Sequence, residues 1–149
     1  MPSIFEPSVA SNILQRIESV TIHNQQQWGK MNAAQAFAHL RSVLELITGD
    51  RIEKPTLIGK LMGPLIKKLV LNNKPYKKGL PTGKNFIIKE EKDFEIEKIK
   101  LIAAYKKLIA KGEVAVDGTV HPLFGKMTAY ECGFSQWKHF DHHLKQFNA

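Results

Sequence analysis

Residues 128–147 read TAYECGFSQWKHFDHHLKQF. Trp137, Phe140, Leu144 and Phe147 recur at spacings of three and four, the period of a helix rather than a strand, and so form one apolar stripe. Thr128, with Glu131 three residues later, has the pattern of a capping box that opens the helix. Its far end is expected near Phe147. Gly133 falls inside this helix, where glycine is about 1 kcal/mol worse than alanine; close approach of a neighbouring helix would account for it. His139 and His143 lie four apart on a second face, extended by Gln136 on one side and Gln146 on the other. His142 points away, toward the solvent edge.

The same periodicity appears elsewhere. A first helix is expected from about Ser8 to Val20, with Ala10, Ile13, Leu14, Ile17 and Val20 at helical spacing. After the polar linker HNQQQWGKMN, Asn32 and Gln35 form a second capping box. The helix AAQAFAHLRSVLELIT follows and stops at Gly49, with Arg41 and Glu45 spaced as an i,i+4 pair. The stretch TLIGKLMGPLIKKLVLNNKP is apolar and basic, and Gly63-Pro64 interrupts it, which predicts two short helical pieces broken before Pro64. Residues 76–92 read as a loop punctuated by Gly79, Pro81 and Gly83, in which FIIK could be extended. Asp93 opens another helix that ends at Gly112, with Leu101, Ile102, Tyr105, Leu108 and Ile109 as its core stripe. Glu95, Lys98, Glu97 and Lys100 decorate its other side. The connector VAVDGTVHPLFGKM contains an Asp117-Gly118 turn. Four long amphipathic helices without a convincing sheet predict an all-α fold. The expected architecture is an antiparallel four-helix bundle spanning residues 1–149 as a single domain, with an extra broken helical segment between the second and third core helices.

The composition is that of an ordinary soluble globular chain, 43% hydrophobic and 24% charged over 149 residues. No window approaches the roughly 20 apolar residues of a membrane span, so no stable membrane insertion is expected. Cys132 is the only cysteine, which excludes a disulfide framework and a cysteine-rich zinc knuckle and suits a cytoplasmic home. The net charge of +8 is unevenly spread: residues 54–111 hold fifteen lysines and five acidic residues, so this centre is strongly basic and the two ends are nearly neutral. Such a centre is either a solvated lysine-rich surface or a patch for an anionic partner.

Neutral imidazole is a good metal ligand, and two at i and i+4 on one helical face can grip one ion, as in the HExxH helix. The glutamate of that motif is missing, so a zinc-protease reading fails. A third ligand must come from another helix. His39 is the candidate, since it sits mid-helix in the most apolar helix of the chain, where a lone imidazole needs a polar partner or a ligand role. The structural alternatives are a buried His39 bonded to a neighbour and a solvated His139/His143 helix end. His121, in a loop before Pro122, is the one candidate catalytic residue, as a general base or substrate contact at a pocket mouth; the alternative is an exposed loop side chain. Cys132 reads as a small buried thiol rather than a soft ligand. Gln35, Gln136 and Gln146 are candidate supports for the ligands or residues of the pocket, although Gln146 reads more readily as a surface amide. Asp141, spaced for Lys138 and Lys145, and Glu131 read as surface or capping carboxylates.

The pattern W-x-x-M-x-x-x-Q-x-x-x-H, carried by Trp28, Met31, Gln35 and His39, resembles the second-helix signature of the DinB/YfiT-like superfamily. The pattern H-x-x-H-H-x-x-Q, carried by His139, His142, His143 and Gln146, is similar to that superfamily's last-helix signature. The run HPLFGKMTAYECGFSQWKHFDHHLKQF looks like one branch of it, catalogued as a domain of unknown function. The resemblance implies a four-helix bundle of up-down-down-up type holding a divalent metal on His39, His139 and His143, with zinc or nickel foremost. It also implies relatives that include low-molecular-weight-thiol transferases, an isomerase and metal-dependent hydrolases, many of them homodimers. The segment between residues 55 and 92 is longer and richer in lysine than the superfamily pattern.

Three neutral imidazoles leave open coordination positions, the arrangement of catalytic rather than structural sites. All-nitrogen ligation suits zinc, nickel, copper, iron or cobalt. The expected function is a metal-dependent enzyme, a hydrolase or thiol S-transferase, acting on a small-molecule substrate that could be a thiol. The competing reading is a non-enzymatic binding or dimerisation module whose basic segment 54–78 engages an anionic partner or a membrane surface. Nucleic acid is not expected, for lack of aromatic platforms or a reader helix.

Overall fold

A computed structural model describes residues 1–149. It contains five α-helices: α1 (Pro7–Ser19), α2 (Ala33–Thr48), α3 (Leu57–Val70), α4 (Phe94–Lys111) and α5 (Ala129–Gln146). Short 3₁₀ turns cover Lys84–Phe86 and Val114–Val116. Two-residue strands β1 (Val120–His121) and β2 (Gly125–Lys126) pair antiparallel as a small hairpin. The chain is thus mostly helical, with a sheet too small to contribute a layer.

Local chemistry sets most of the helix ends. Asn32 and Thr128 close complete capping boxes with Gln35 and Glu131, and the Asp93 side chain accepts from the Ile96 amide. Gly49 ends α2 in the left-handed conformation that glycine adopts without steric penalty. The long helices α1, α2, α4 and α5 share one core. Ile13, Ile17, Phe37, Leu40, Leu44, Leu101, Tyr105, Leu108, Phe140, Leu144 and Phe147 are all buried in it. Trp137, expected in the same stripe, is only half-buried at its edge. Helix α2 runs through the centre, packing along α4 and against α5, and the buried Glu97 joins α4 to α2 through Arg41 at 3.1 Å. Glu97 also meets Lys100 at 3.8 Å, the pair its spacing suggested, but its carboxylate is buried rather than on a solvated side of α4.

Three further features differ from expectation. The segment around Pro64 is not broken: α3 is one continuous helix with Pro64 inside it. Proline removes one i→i−4 bond, its ring crowds the i−4 carbonyl, and it disfavours helical backbone at a predecessor that carries a Cβ. Here the predecessor is Gly63, which has no Cβ, and the carbonyl deprived of its partner belongs to the exposed Lys60. Second, residues 84–86 form a 3₁₀ turn and no strand follows, although Ile87 is extended. Third, the close neighbour of Gly133 is the N-terminal segment rather than a helix. The Ile4 amide donates to the Gly133 carbonyl at 3.1 Å, and a Cβ on Gly133 would lie 2.2 Å from Ser3 Oγ.

Helix α3 sits at the periphery. Its buried side is reduced to Gly59 and Gly63, which lie directly against the β1–β2 turn. A Cβ at position 59 would meet the Pro122 carbonyl oxygen at 2.2 Å. At the other end, Lys138 of α5 is 4% exposed and its ammonium donates to the Val70 and Asn72 carbonyls, which α3 leaves unpaired as it ends. Asp141 does not hold Lys138, as the spacing had suggested, but pairs with Arg16 and Lys145.

Candidate metal centre

Helices α2 and α5 cross with His39 facing His139 and His143. One imidazole nitrogen from each of the three lies within 4.8 Å of the other two. His39 is 4% and His143 7% exposed, and His139 is half-buried. His39 is placed mid-helix by the capping box and the apolar face of α2. His139 and His143 lie beside the buried stripe of Phe140, Leu144 and Phe147, on the neighbouring side of α5 that meets His39 of α2.

The partners of these rings fix their protons. His39 Nδ1 lies 2.9 Å from the Phe86 carbonyl oxygen, which can only accept, so Nδ1 carries the hydrogen and Nε2 presents a lone pair. His143 Nδ1 lies 2.9 Å from Gln146 Oε1. The Gln146 amide is oriented by its Nε2, which donates to the Trp28 carbonyl at 2.6 Å, so Oε1 must be the acceptor and His143 Nδ1 the donor. His143 Nε2 is thereby also left with a lone pair. His39 Nε2 and His139 Nε2 are 2.9 Å apart, so the hydrogen between them belongs to His139. Two of the three rings are held in the tautomer that ligates through Nε2, each by a carbonyl-type acceptor on the opposite nitrogen. Metal-binding histidines are oriented in this way.

Burial also fixes the charge. Desolvation pulls the His39 pKa below its ordinary value against the raising effect of the Phe86 carbonyl. His143 is pulled down to about 3, first by desolvation and then by the neighbouring His39. His139 falls well below the ordinary range for the same reason, with the other histidines adding to it. Neutral imidazole is the form that binds a metal ion.

The supporting residues divide clearly. Gln146 is buried and bridges His143 to the 27–29 linker, so it is not the surface amide its position suggested. Gly29 makes that bridge possible: its φ is +80°, and any Cβ would lie 2.8 Å from Gln146 Nε2. Gln35 does not touch the rings. It completes the α2 cap and donates to the Lys89 and Glu90 carbonyls, which holds the segment carrying Phe86 against α2. Gln136 lies on the His139 side of α5 and is 4% exposed, yet its Oε1 has no hydrogen-bond partner. His121 lies in the β-hairpin outside the cluster. Its Nδ1 accepts from the Leu123 and Phe124 amides, its ring stacks on Phe124 at 4.2 Å, and burial lowers its pKa to about 4. Cys132 is a buried thiol directed at the Val116 carbonyl, with its pKa raised to about 11, chiefly by desolvation. Spacing alone did not reveal Phe86 as a partner of His39, or Trp28 as the anchor of Gln146; both come from loops.

Beside the cluster, His142 packs between Trp28 and Tyr76, at ring-centroid distances of 5.5 and 5.9 Å. These three line a surface cavity of about 230 Å³ together with Asn72, Lys74, Trp137 and Asp141. Its aromatic wall abuts the His143 ring, 5.2 Å from that of His142.

Residues 8–149 match the family described as "Protein of unknown function (DUF1569)". The chain belongs to that family. The match covers α1 through α5, and so both helices that carry the histidines. No curated protein and no solved structure matches the chain.

Proposed function

We propose that this member of the family binds one divalent metal ion through His39, His139 and His143 and is a metal-dependent enzyme, a hydrolase or a low-molecular-weight-thiol transferase. The observation that carries this reading is the pair of fixed tautomers. His39 and His143 each give their Nδ1 hydrogen to an oxygen, which leaves a lone pair on each Nε2, and one nitrogen from each of the three rings lies within 4.8 Å of the others. The donor set fits a borderline ion such as zinc or nickel: three nitrogens, neutral and largely dry, with no carboxylate or thiolate among them. Bonds of about 2.1 Å put the nitrogens of a tetrahedral site roughly 3.4 Å apart, so closing on an ion needs ring movements of only about an ångström. His139 would then carry its hydrogen on Nδ1. Such an ion supplies Lewis acidity and draws the pKa of a water or thiol ligand toward neutrality.

The protein's own groups do the remaining work. The Phe86 carbonyl and Gln146 hold two rings in register and raise their basicity as ligands. The orphaned Gln136 Oε1 is a buried acceptor suited to a proton on a bound substrate or water. The aromatic cavity beside His142, whose ring meets that of His143, suits a small organic substrate, a thiol among them. The arrangement of α1, α2, α4 and α5 around one core, with ligands on the second and the last helix, supports a DinB/YfiT-like bundle as the underlying fold. The test is metal content. Protein purified without a histidine tag is expected to carry close to one equivalent of metal, and His39→Ala is expected to lose it while remaining helical. Full metal retention in His39→Ala would end this assignment.

A further inference from the structure

The outward side of α3 is apolar. Leu57, Ile58, Leu61, Met62, Leu65 and Leu69 are each between 48% and 75% exposed, and they share the side opposite the buried Gly59 and Gly63. An amphipathic helix normally turns such a face to the core; this one turns it to solvent over its whole length, since Pro64 does not interrupt it. The position is fixed, because Gly59 sits on the Pro122 carbonyl and the Lys138 ammonium holds the C-terminal end. A contiguous exposed apolar face on a helix held this firmly is an interaction surface.

Its surroundings say what covers it. Residues 54–89 contain nine lysines and no Asp or Glu. Lys60 and Lys68 are exposed on α3 itself, and Lys54, Lys74, Lys77 and Lys78 follow at its two ends. Paired about a two-fold axis, two copies of α3 would set these lysines against each other with no carboxylate in the segment to offset them. A nucleic-acid backbone would satisfy the lysines and leave six aliphatic side chains against phosphate. An anionic lipid surface satisfies both: the aliphatic side chains enter the boundary between headgroups and acyl chains, and the long lysine side chains extend up to the phosphates. We infer that α3 docks the protein peripherally on a membrane surface rich in anionic lipid, lying in the plane of the interface. This inference does not depend on the metal centre.

Vesicle flotation with the full chain tests it. Binding to vesicles of phosphatidylcholine plus phosphatidylserine is expected to exceed binding to phosphatidylcholine alone by at least about tenfold and to weaken as salt is raised. Leu61→Gln/Leu65→Gln changes two side chains that already face water, so the fold is retained, and binding is expected to fall at least about tenfold. Three results would overturn the inference. One is no association with the anionic vesicles. The second is association undiminished in the double variant, which would leave only a generic polycation. The third is a monomer–dimer equilibrium that the double variant abolishes with no vesicle binding in the parent, which would give the face to a second copy.

Discussion

His39 Nε2 lies 2.9 Å from His139 Nε2, although one hundred positions separate the two residues in the chain. The Phe86 carbonyl sets the proton of His39, which gives the hydrogen between the two rings to His139, and Gln146 sets that of the neighbouring His143. Gln146 is the more informative to alter, because its ring contact is a side chain. Gln146→Ala is expected to weaken metal affinity by about 10–100-fold without removing a ligand. Gln146→Glu keeps an acceptor for His143 Nδ1 but loses the donor to the Trp28 carbonyl, so it is expected to restore only part of it. Competition against a calibrated chelator measures both, and equal affinity in Gln146→Ala and the parent would show that the amide does not orient the ring.

The histidines also predict an acid limit. In the folded chain His39, His121, His139, His142 and His143 all have lowered pKa values, with desolvation the first cause in each. Above about pH 6.5 they are neutral in both folded and unfolded states and stability is insensitive to pH. Below it the unfolded chain takes up protons that the folded chain refuses, so stability falls as pH falls, until the folded values near 4 and 3 of His121 and His143 are reached. Thermal unfolding of chelator-treated protein should therefore show Tm dropping steadily from about pH 6.5 to about pH 4.5. A flat Tm across that window would mean that the rings are solvated.

Gly59→Ala separates two opposing effects. Alanine gains about 1 kcal/mol of helix propensity in α3. Its Cβ would also lie 2.2 Å from the Pro122 carbonyl oxygen, a backbone atom with little freedom to move. Overpacking of this kind costs about 1–3 kcal/mol, so the clash is expected to win and Tm to fall by a few degrees. A stabilised Gly59→Ala would show that α3 does not rest on the hairpin.

Lys138 anchors the other end of α3. Its ammonium has no carboxylate partner and serves two carbonyls, and burial lowers its pKa. Lys138→Met keeps the stem and removes the donor, so two carbonyls lose their bonds at a cost of about 1–3 kcal/mol. Limited proteolysis should then cut within residues 68–76 faster than in the parent; unchanged cleavage would make the contact incidental.

How much of this was legible in the sequence depended on the range of the interaction. The ends of α2, α4 and α5 could be read because Asn32, Asp93 and Thr128 act on amides only three residues away. The three histidines could be grouped because i,i+4 spacing puts two on one face and an apolar helix makes the third conspicuous. The continuity of α3 through Pro64 was not legible, because Gly63 eases only the part of the proline clash that falls on its predecessor's Cβ, and the lost bond and the i−4 carbonyl clash still argue for a break. The hairpin at 120–126 left too short a pattern to register as strands. The burial of Gln146, Glu97 and Lys138 was not legible, since each is decided by a partner distant in sequence: Trp28, Arg41 and the end of α3.

In the proposed centre one ion is held by nitrogens from α2 and α5 together. Crystals of the metal-loaded protein, with diffraction recorded on both sides of the metal's absorption edge, test it most directly. A single anomalous peak is expected within about 2.0–2.2 Å of Nε2 of His39, His139 and His143. A peak held by His139 and His143 without His39, or a metal found only on surface side chains, would contradict it.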